Sequence, residues 1–381
     1  LQYEKVSVSL LYAGLGVSNL VVVALVLRAW GAEGVKDVGV FLFRTFFNLE
    51  VKGLENLPKL GGKAIIAPNH VSLLDAGLMH ALLPSHAIFA VDTGMAKTRW
   101  VKPFLKLAKS YAIDPSRPLG MRHLIQEVKD GSSLVIFPEG RLTVTGGLMK
   151  VYDGTAMIAD KADAPVIPVR IDGLERSHFG YLSKSQTKKA WFPKTTVTIL
   201  PPVKLKVDQN LRGKQRRLAA GLALQDVMTD SAVLTTPIDQ TLFDALVQAR
   251  ETRDTGKPAI EDALGTKLSY KKLIVGAQVL GSKLAPMLPP EGEAIGVLLP
   301  NSAGVAVTFF ALQTMGRVPA MLNFTAGAAN VVSACKAANV SVVLTSRVFI
   351  EKGHFEALVQ AIGAIARVIY LEDIRATVTV S

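Results

Sequence analysis

The chain has 381 residues, long enough for two domains, and 49% of them are hydrophobic, with a formal net charge of +12. That charge suits an anionic partner, but no zinc finger, RNA-binding signature or aromatic-interleaved basic groove is present, which argues against nucleic acid and leaves anionic lipid or an acidic carrier protein. A single cysteine, Cys335, excludes an internal disulfide framework and a cysteine-rich metal site, and fits a reducing compartment.

The first residue is Leu1 rather than Met, which suggests a piece of a longer chain. Residues 10–27, LLYAGLGVSNLVVVALVL, are apolar apart from Ser18 and Asn19. As a helix they would rise about 27 Å, close to the thickness of a bilayer core. A buried soluble helix is the alternative, and no small-residue cleavage site follows that would make the run a signal peptide. Arg28, Lys36, Arg44 and Lys52 crowd its C-terminal side, so that side is expected to face the cytoplasm. Residues 35–48 carry Phe41, Phe43, Phe46 and Phe47 and suit either an interfacial helix or an ordinary core helix. Residues 1–48 are therefore expected as a membrane segment plus an interfacial helix.

From about residue 49 the texture becomes α/β. Short apolar runs at 63–68, 87–91, 133–138 and 164–171 read as strands, and helical patterns lie at 73–82, 99–109, 118–130 and 150–161. A basic stretch, 203–217, leads into a helix ending near 231, and TTP at 235–237 reads as a linker. The divisions expected are 49–208 for the first α/β domain, 209–237 for a helical linker and 238–381 for a second α/β unit. In that second unit 294–300, 319–324 and 341–346 read as buried strands, with helices over 269–285, 303–315 and 327–338.

Two stretches carry chemistry. In APNHVSLLD, residues 67–75, His70 follows a strand, and Asp75 lies five positions on; no other histidine has an aspartate at that spacing. A neutral imidazole in such a turn takes a proton from an alcohol, provided a carboxylate fixes its tautomer. That is the His–Asp part of a triad, with the substrate hydroxyl as nucleophile. The same residues also read as a helix N-terminus near Ser72, with Ser72 capping and Asp75 favoured by the helix dipole. In FPEGRLTVTG, residues 137–146, Gly140 allows close approach of a ligand and Arg141 suits bidentate phosphate binding. Glu139 is expected to orient Arg141 or to bind a headgroup, and Thr143 adds a hydroxyl. A surface Glu–Arg pair at a turn is the alternative.

These two blocks resemble the NHxSxxD and EGR blocks of glycerolipid acyltransferases, in that order. YAIDPSRP (111–118) looks like the acceptor-binding block between them, which points to Asp114 and Arg117, although two residues separate that pair here. VIPVRIDG (166–173) resembles the fourth block, and LMKVYDGTA (148–156) brings Lys150 as a further phosphate contact. The resemblance spans roughly 49–205. It implies acyl transfer from a thioester to a lysophospholipid hydroxyl, with His70 and Asp75 catalytic and Glu139, Gly140, Arg141, Thr143, Asp114, Arg117 and Lys150 binding substrate, and with no metal or cofactor.

IGVLLPNSAGVAVTFFALQTMGRVPAMLNFTAG (295–327) resembles the opening of adenylate-forming acyl ligases. The phosphate loop and catalytic lysine region of that family do not appear in these residues, so ATP and Mg chemistry is expected only of a complete ligase domain. Together the two resemblances match the bacterial bifunctional family that joins a 2-acylglycerophosphoethanolamine acyltransferase to an acyl-carrier-protein synthetase. The fold class expected is a glycerolipid-acyltransferase-type α/β domain with N-terminal membrane helices, followed by the start of an adenylate-forming α/β domain. The resemblance implies acyl carrier protein (or coenzyme A) as donor carrier, a bacterial inner membrane location with catalytic domains on the cytoplasmic side, and a preceding transporter segment whose last helix is the apolar run. Lys97, Arg99, Lys102, Lys106 and Lys109 are candidate docking charges for the acidic carrier. Competing readings are a ligase for which the first domain is mainly a membrane anchor, a lysophosphatidate or glycerol-3-phosphate acyltransferase, and a non-catalytic lipid-binding module.

Overall fold

The computed structural model describes residues 8–58, 62–84, 86–97, 105, 108–113 and 118–376. They form two compact units, Leu1–Ser183 with Lys189–Thr236, and Lys184–Lys188 with Pro237–Ser381.

The first unit is built on a seven-stranded sheet. Its strands are β1 (Glu50–Lys52), β2 (Ala64–Pro68), β3 (Ile88–Asp92), β4 (Ser110–Ile113), β5 (Ser133–Val135), β6 (Val166–Asp172) and β7 (Thr196–Ile199), in the order β1-β7-β6-β2-β5-β3-β4. All neighbours run parallel except β6 and β7. β2 sits at the centre and is buried along its whole length. Its side chains alternate between two cores: Ala64 and Ile66 enter one, Ile65 and Ala67 the other. A strand covered on both faces must be apolar throughout, which is why AIIAP shows no polar alternation. The first core is closed by Phe47, Leu78 and Met79, the second by Leu124, Val128, Ile158 and Ala159.

The N-terminal residues differ from expectation in their division. One element, α1 (Val8–Phe47), covers both expected helices, broken only by the non-helical Gly31. Phe43 and Phe47 pack into the core, as the core-helix reading of 35–48 expects, whereas Phe41 and Phe46 are exposed. Leu15, Leu20 and Leu25 are exposed too. Among the described residues no helix is long and apolar enough to cross a membrane. The side chains of residues 10, 11 and 27 in the expected run fall outside the described set.

Helix α2 (Asp75–Leu82) starts three residues later than Ser72, and its N-cap position is Leu74. Helices Pro118–Lys129 and Asp153–Ala162 lie where the pattern places them. Most of the expected helix 99–109 is outside the described residues. Helix Gly213–Leu234 is not a free linker. Its Ala220, Leu224 and Met228, spaced four apart, are buried with Ile158 and Ala159 in the second core. Strands β1, β4 and β7 were not anticipated. β1 and β4 are sheet edges of three and four residues with no fully buried position, while β7 does alternate buried and half-buried residues.

The second unit holds a separate hairpin, β8 (Ile260–Glu261) with β9 (Lys267–Leu268), and a four-stranded parallel sheet. The sheet strands are β10 (Ala294–Val297), β11 (Val318–Met321), β12 (Val342–Thr345) and β13 (Arg367–Tyr370), in the order β11-β10-β12-β13. Three of these four match the expected runs, and β13 is new. Helices Tyr270–Leu284, Ala303–Gln313 and Ala328–Ala337 cover it as the periodicity predicts, with Ser269 accepting from the Lys272 amide as a cap. Cys335 is buried and unpaired.

Gly173 ends β6 with φ 100°, and a Cβ there would lie 2.0 Å from the Lys194 carbonyl oxygen. Strain and overlap together predict that Gly173→Ala destabilises the first unit by roughly 2–4 kcal/mol. Urea unfolding measures this, and an unchanged midpoint would show that the Lys194 chain yields freely.

Candidate active site

β2 and β5 are neighbours in the sheet and run parallel, so the segments leaving their carboxyl ends meet. The segment after β2 carries Asn69 and His70; the one after β5 carries Glu139 to Thr145. Asn69 is buried and clasps β6 on its other side: its side chain donates to the Ile171 carbonyl (3.0 Å) and accepts from the Ile171 amide (2.7 Å). The turn is thus tied to β6, one of the two neighbours of β2.

His70 Nδ1 lies 2.9 Å from Asp75 Oδ2. The same oxygen accepts the amides of Val71 (2.6 Å) and Ser72 (2.8 Å). Asp75 is fully buried, and its Oδ1 has no hydrogen-bond partner among the described residues. Burial pushes its pKa up, while His70 and the two amides pull it back. A carboxylate there makes Nδ1 the protonated nitrogen, so Nε2 carries the lone pair. The ring is 20% exposed and stacks on Phe137 with centroids 4.2 Å apart. The capping alternative is half right: Asp75 does reach back to the Ser72 amide, but Ser72 Oγ accepts from Leu74 and does not begin the helix.

Glu139 departs from expectation. It is 1% exposed, and its two oxygens accept the amides of His70 (3.0 Å) and Met149 (2.7 Å). It therefore holds the backbone of His70 and Met149 rather than Arg141 or a headgroup. Thr143 is likewise buried: its amide donates to the His70 carbonyl (2.8 Å), and its hydroxyl closes the 143–147 turn by donating to Gly147 O (2.9 Å). It has no exposed hydroxyl to offer a substrate. Gly140 has φ 62°, and a Cβ would come 3.3 Å from the Tyr152 ring. Arg141 is exposed, with no ion pair among the described residues. The exposed Lys150 ammonium sits 5.5 Å from the Tyr152 ring centroid. Asp114 and Arg117 lie outside the described residues. So do Arg99, Lys102 and Lys106 of the expected carrier-docking set, while Lys109 pairs with Glu127 at 3.0 Å. No group of three or more metal-ligating side chains occurs among the described residues.

Two further residues support the site without a signal in the sequence. Ser177 Oγ lies 3.2 Å from Ser72 Oγ, and Lys189 donates to three carbonyls of the 175–180 loop. Asn69 was visible as part of the NHxSxxD block, but its role depends on β6 lying alongside.

Residues 48–172 match the Acyltransferase family model. The first unit thus holds an acyltransferase domain. A 1-acyl-sn-glycerol-3-phosphate acyltransferase of Brassica napus, chloroplastic, is 29% identical over 132 residues, 34% of this chain and 38% of the relative. The chain therefore spans well under half of that relative's length. Among solved structures, the 1-acyl-sn-glycerophosphate acyltransferase of Thermotoga maritima aligns with 22% identity and a TM-score of 0.39, over 53% of this chain and 81% of that one. An o-succinylbenzoate CoA synthetase of Bacillus subtilis aligns with 16% identity and a TM-score of 0.31, over 37% and 34%.

Burial raises the Glu139 pKa above its ordinary value despite the two amides. A raised folded-state pKa contributes stability that is present at low pH and lost as pH rises through that value. The unfolding free energy of the chain relative to Glu139→Gln should therefore fall as pH rises from the ordinary carboxylate range upward. Urea titrations at several pH values measure it. The opposite slope would mean that the two amides outweigh burial.

Proposed function

We propose that the first unit moves an acyl group from a thioester to the free hydroxyl of a lysophospholipid. The observation that carries this is the His70–Asp75 pair, with Nε2 left as the basic nitrogen at the carboxyl end of β2. His70 Nε2 takes the proton of the acceptor hydroxyl, and Asp75 stabilises the resulting imidazolium. The hydroxyl oxygen bonds to the thioester carbonyl carbon. The tetrahedral species collapses by breaking the carbon–sulfur bond, and the imidazolium returns its proton to the departing thiolate. Glu139 holds the base in place through the His70 amide. Arg141 grips the acceptor phosphate, with Arg117, Asp114 and Lys150 completing the acceptor subsite, and Gly140 leaves room for the lipid.

Within that class we assign 2-acylglycerophosphoethanolamine as acceptor and acyl carrier protein as donor carrier, on the ordered blocks from 49 to 205 and the ligase-like stretch 295–327. The net charge of +12 suits an acidic carrier. Lysophosphatidate is the second reading, favoured by the activity named for the Brassica relative. No cofactor takes part in the transfer. ATP and magnesium ion belong to the reaction of a complete ligase domain. The site works at a lipid surface, which for a bacterial chain is the cytoplasmic face of the inner membrane. Exposed Phe46, Trp191 and Phe192 support this, because aromatic rings favour the headgroup level; Phe46 and Phe192 are in contact at 5.1 Å between centroids.

The test supplies acyl-carrier-protein or acyl-coenzyme A thioesters without ATP and measures thiol release with lysophosphatidylethanolamine or lysophosphatidate. Release that depends on the acceptor, and that drops about a hundredfold to ten-thousandfold in His70→Ala, is expected. Folded protein that releases no thiol with any lysolipid would sink the proposal, and the preferred acceptor decides between the two readings. Replacing both Trp191 and Phe192 by alanine should lower co-sedimentation with anionic phospholipid vesicles, while equal binding would remove these rings from the lipid contact.

A further inference from the structure

We infer that Lys189 is a positioning residue for the acyl-transfer site, acting through the loop that backs the His70–Asp75 turn; this rests on the reading of His70 as the base. The Lys189 ammonium donates to Gly180 O at 2.7 Å, Ser177 O at 2.8 Å and Glu175 O at 3.4 Å. An ammonium has three donors, and a different carbonyl of one short loop takes each. No carboxylate forms an ion pair with it among the described residues. Its half-buried position lowers its pKa, with the Glu175 charge acting in the opposite sense. Such a cation is a folding device for a turn whose carbonyls converge: without it three partial negative charges face one another.

The loop it gathers lies directly on the catalytic turn. Phe179 O accepts the Leu73 amide at 3.1 Å, and Ser72 and Gly180 form an antiparallel bridge. Ser177 Oγ reaches Ser72 Oγ at 3.2 Å. Ser72 in turn gives its amide to Asp75 Oδ2. The path therefore runs from the ammonium to the 175–180 carbonyls, to Ser72 and Leu73, and to the oxygen that orients His70. The chain closes tightly enough that a Cβ on Gly180 would lie 2.5 Å from Glu175 O. Ala190, next to the lysine, donates its amide to Arg176 O at 3.0 Å, which fixes where the ammonium enters the loop. The path ends at the oxygen that orients His70 and includes none of the residues proposed for the acceptor subsite, so loss of the ammonium should disturb turnover and leave substrate affinity alone.

The experiment compares Lys189→Met with Lys189→Cys before and after aminoethylation by 2-bromoethylamine, which rebuilds an ammonium on a side chain of nearly the original length. Cys335 is buried and so protected from the reagent. In folded Lys189→Met, kcat should fall about tenfold to a hundredfold with KM for both substrates within about twofold. Aminoethylation should restore most of it. Lys189→Arg, which keeps the charge and the donors, supplies a folded comparison and should lie between. A second readout is independent of activity: the His70 Nδ1 proton, hydrogen-bonded to Asp75, should give a low-field NMR signal that is absent in His70→Ala. That signal should weaken or shift in Lys189→Met and return on aminoethylation. Wild-type kcat in Lys189→Met, a loss expressed only in KM, or no recovery once the ammonium is rebuilt would each overturn the inference. If the wild-type chain shows no His70-dependent transfer, the acyl-transfer reading fails, and the proton signal still decides what Lys189 does to the turn: unchanged in Lys189→Met, it overturns the role.

Discussion

The site depends on one carboxylate oxygen. Asp75 Oδ2 collects the Nδ1 proton of His70 and the amides of Val71 and Ser72, donors on three consecutive residues. A single acceptor therefore shapes the turn and aims the ring together. The carboxylate is fully buried, so its charge is tolerable only while those donors face it. Any disturbance that moves one of them loosens the other two.

The surrounding sheet exists, for this purpose, to keep that geometry in place. Each neighbour of β2 supplies a restraint. From the β6 side, Ile171 clasps Asn69 at both its amide and its carbonyl. From the β5 side, Glu139 takes the His70 amide and Thr143 donates to the His70 carbonyl. The loop that follows β6 then closes over Ser72 and Leu73. An imidazole held through both backbone groups of its residue and through Nδ1 leaves Nε2 as its unengaged nitrogen, the arrangement that the proposed proton transfer needs.

Several parts of this were legible in the sequence. β2 and β10 are recognisable as unbroken apolar runs because strands buried on both faces leave no polar alternation. The five-residue separation of His70 and Asp75 points to side chains that do meet, since a turn plus the first helical residue spans that distance. Other residues misled. Glu139 stands beside Gly140 and Arg141 in a motif that looks like a ligand loop, yet it is buried and faces the backbone. Thr143 likewise offered a hydroxyl that the structure spends on its own turn. Helix Gly213–Leu234 looked like a linker because a basic stretch leads into it and TTP follows it, but Ala220, Leu224 and Met228 fall on one stripe that packs into the second core. Lys189 gave no signal, since a lysine that binds three carbonyls has no partner residue type to recognise.

The sequence by itself determined the two α/β units, the central buried strands and the His70–Asp75 pair, because these follow from local periodicity and short spacing. Tertiary structure alone decided which polar groups face a substrate and which face the chain. That choice depends on strand order. β2 lies between β5 and β6, so segments far along the chain arrive at His70 and bury Glu139, Thr143 and Ser177 against its turn. No pattern within a window of a few residues records who the neighbours of a parallel strand will be.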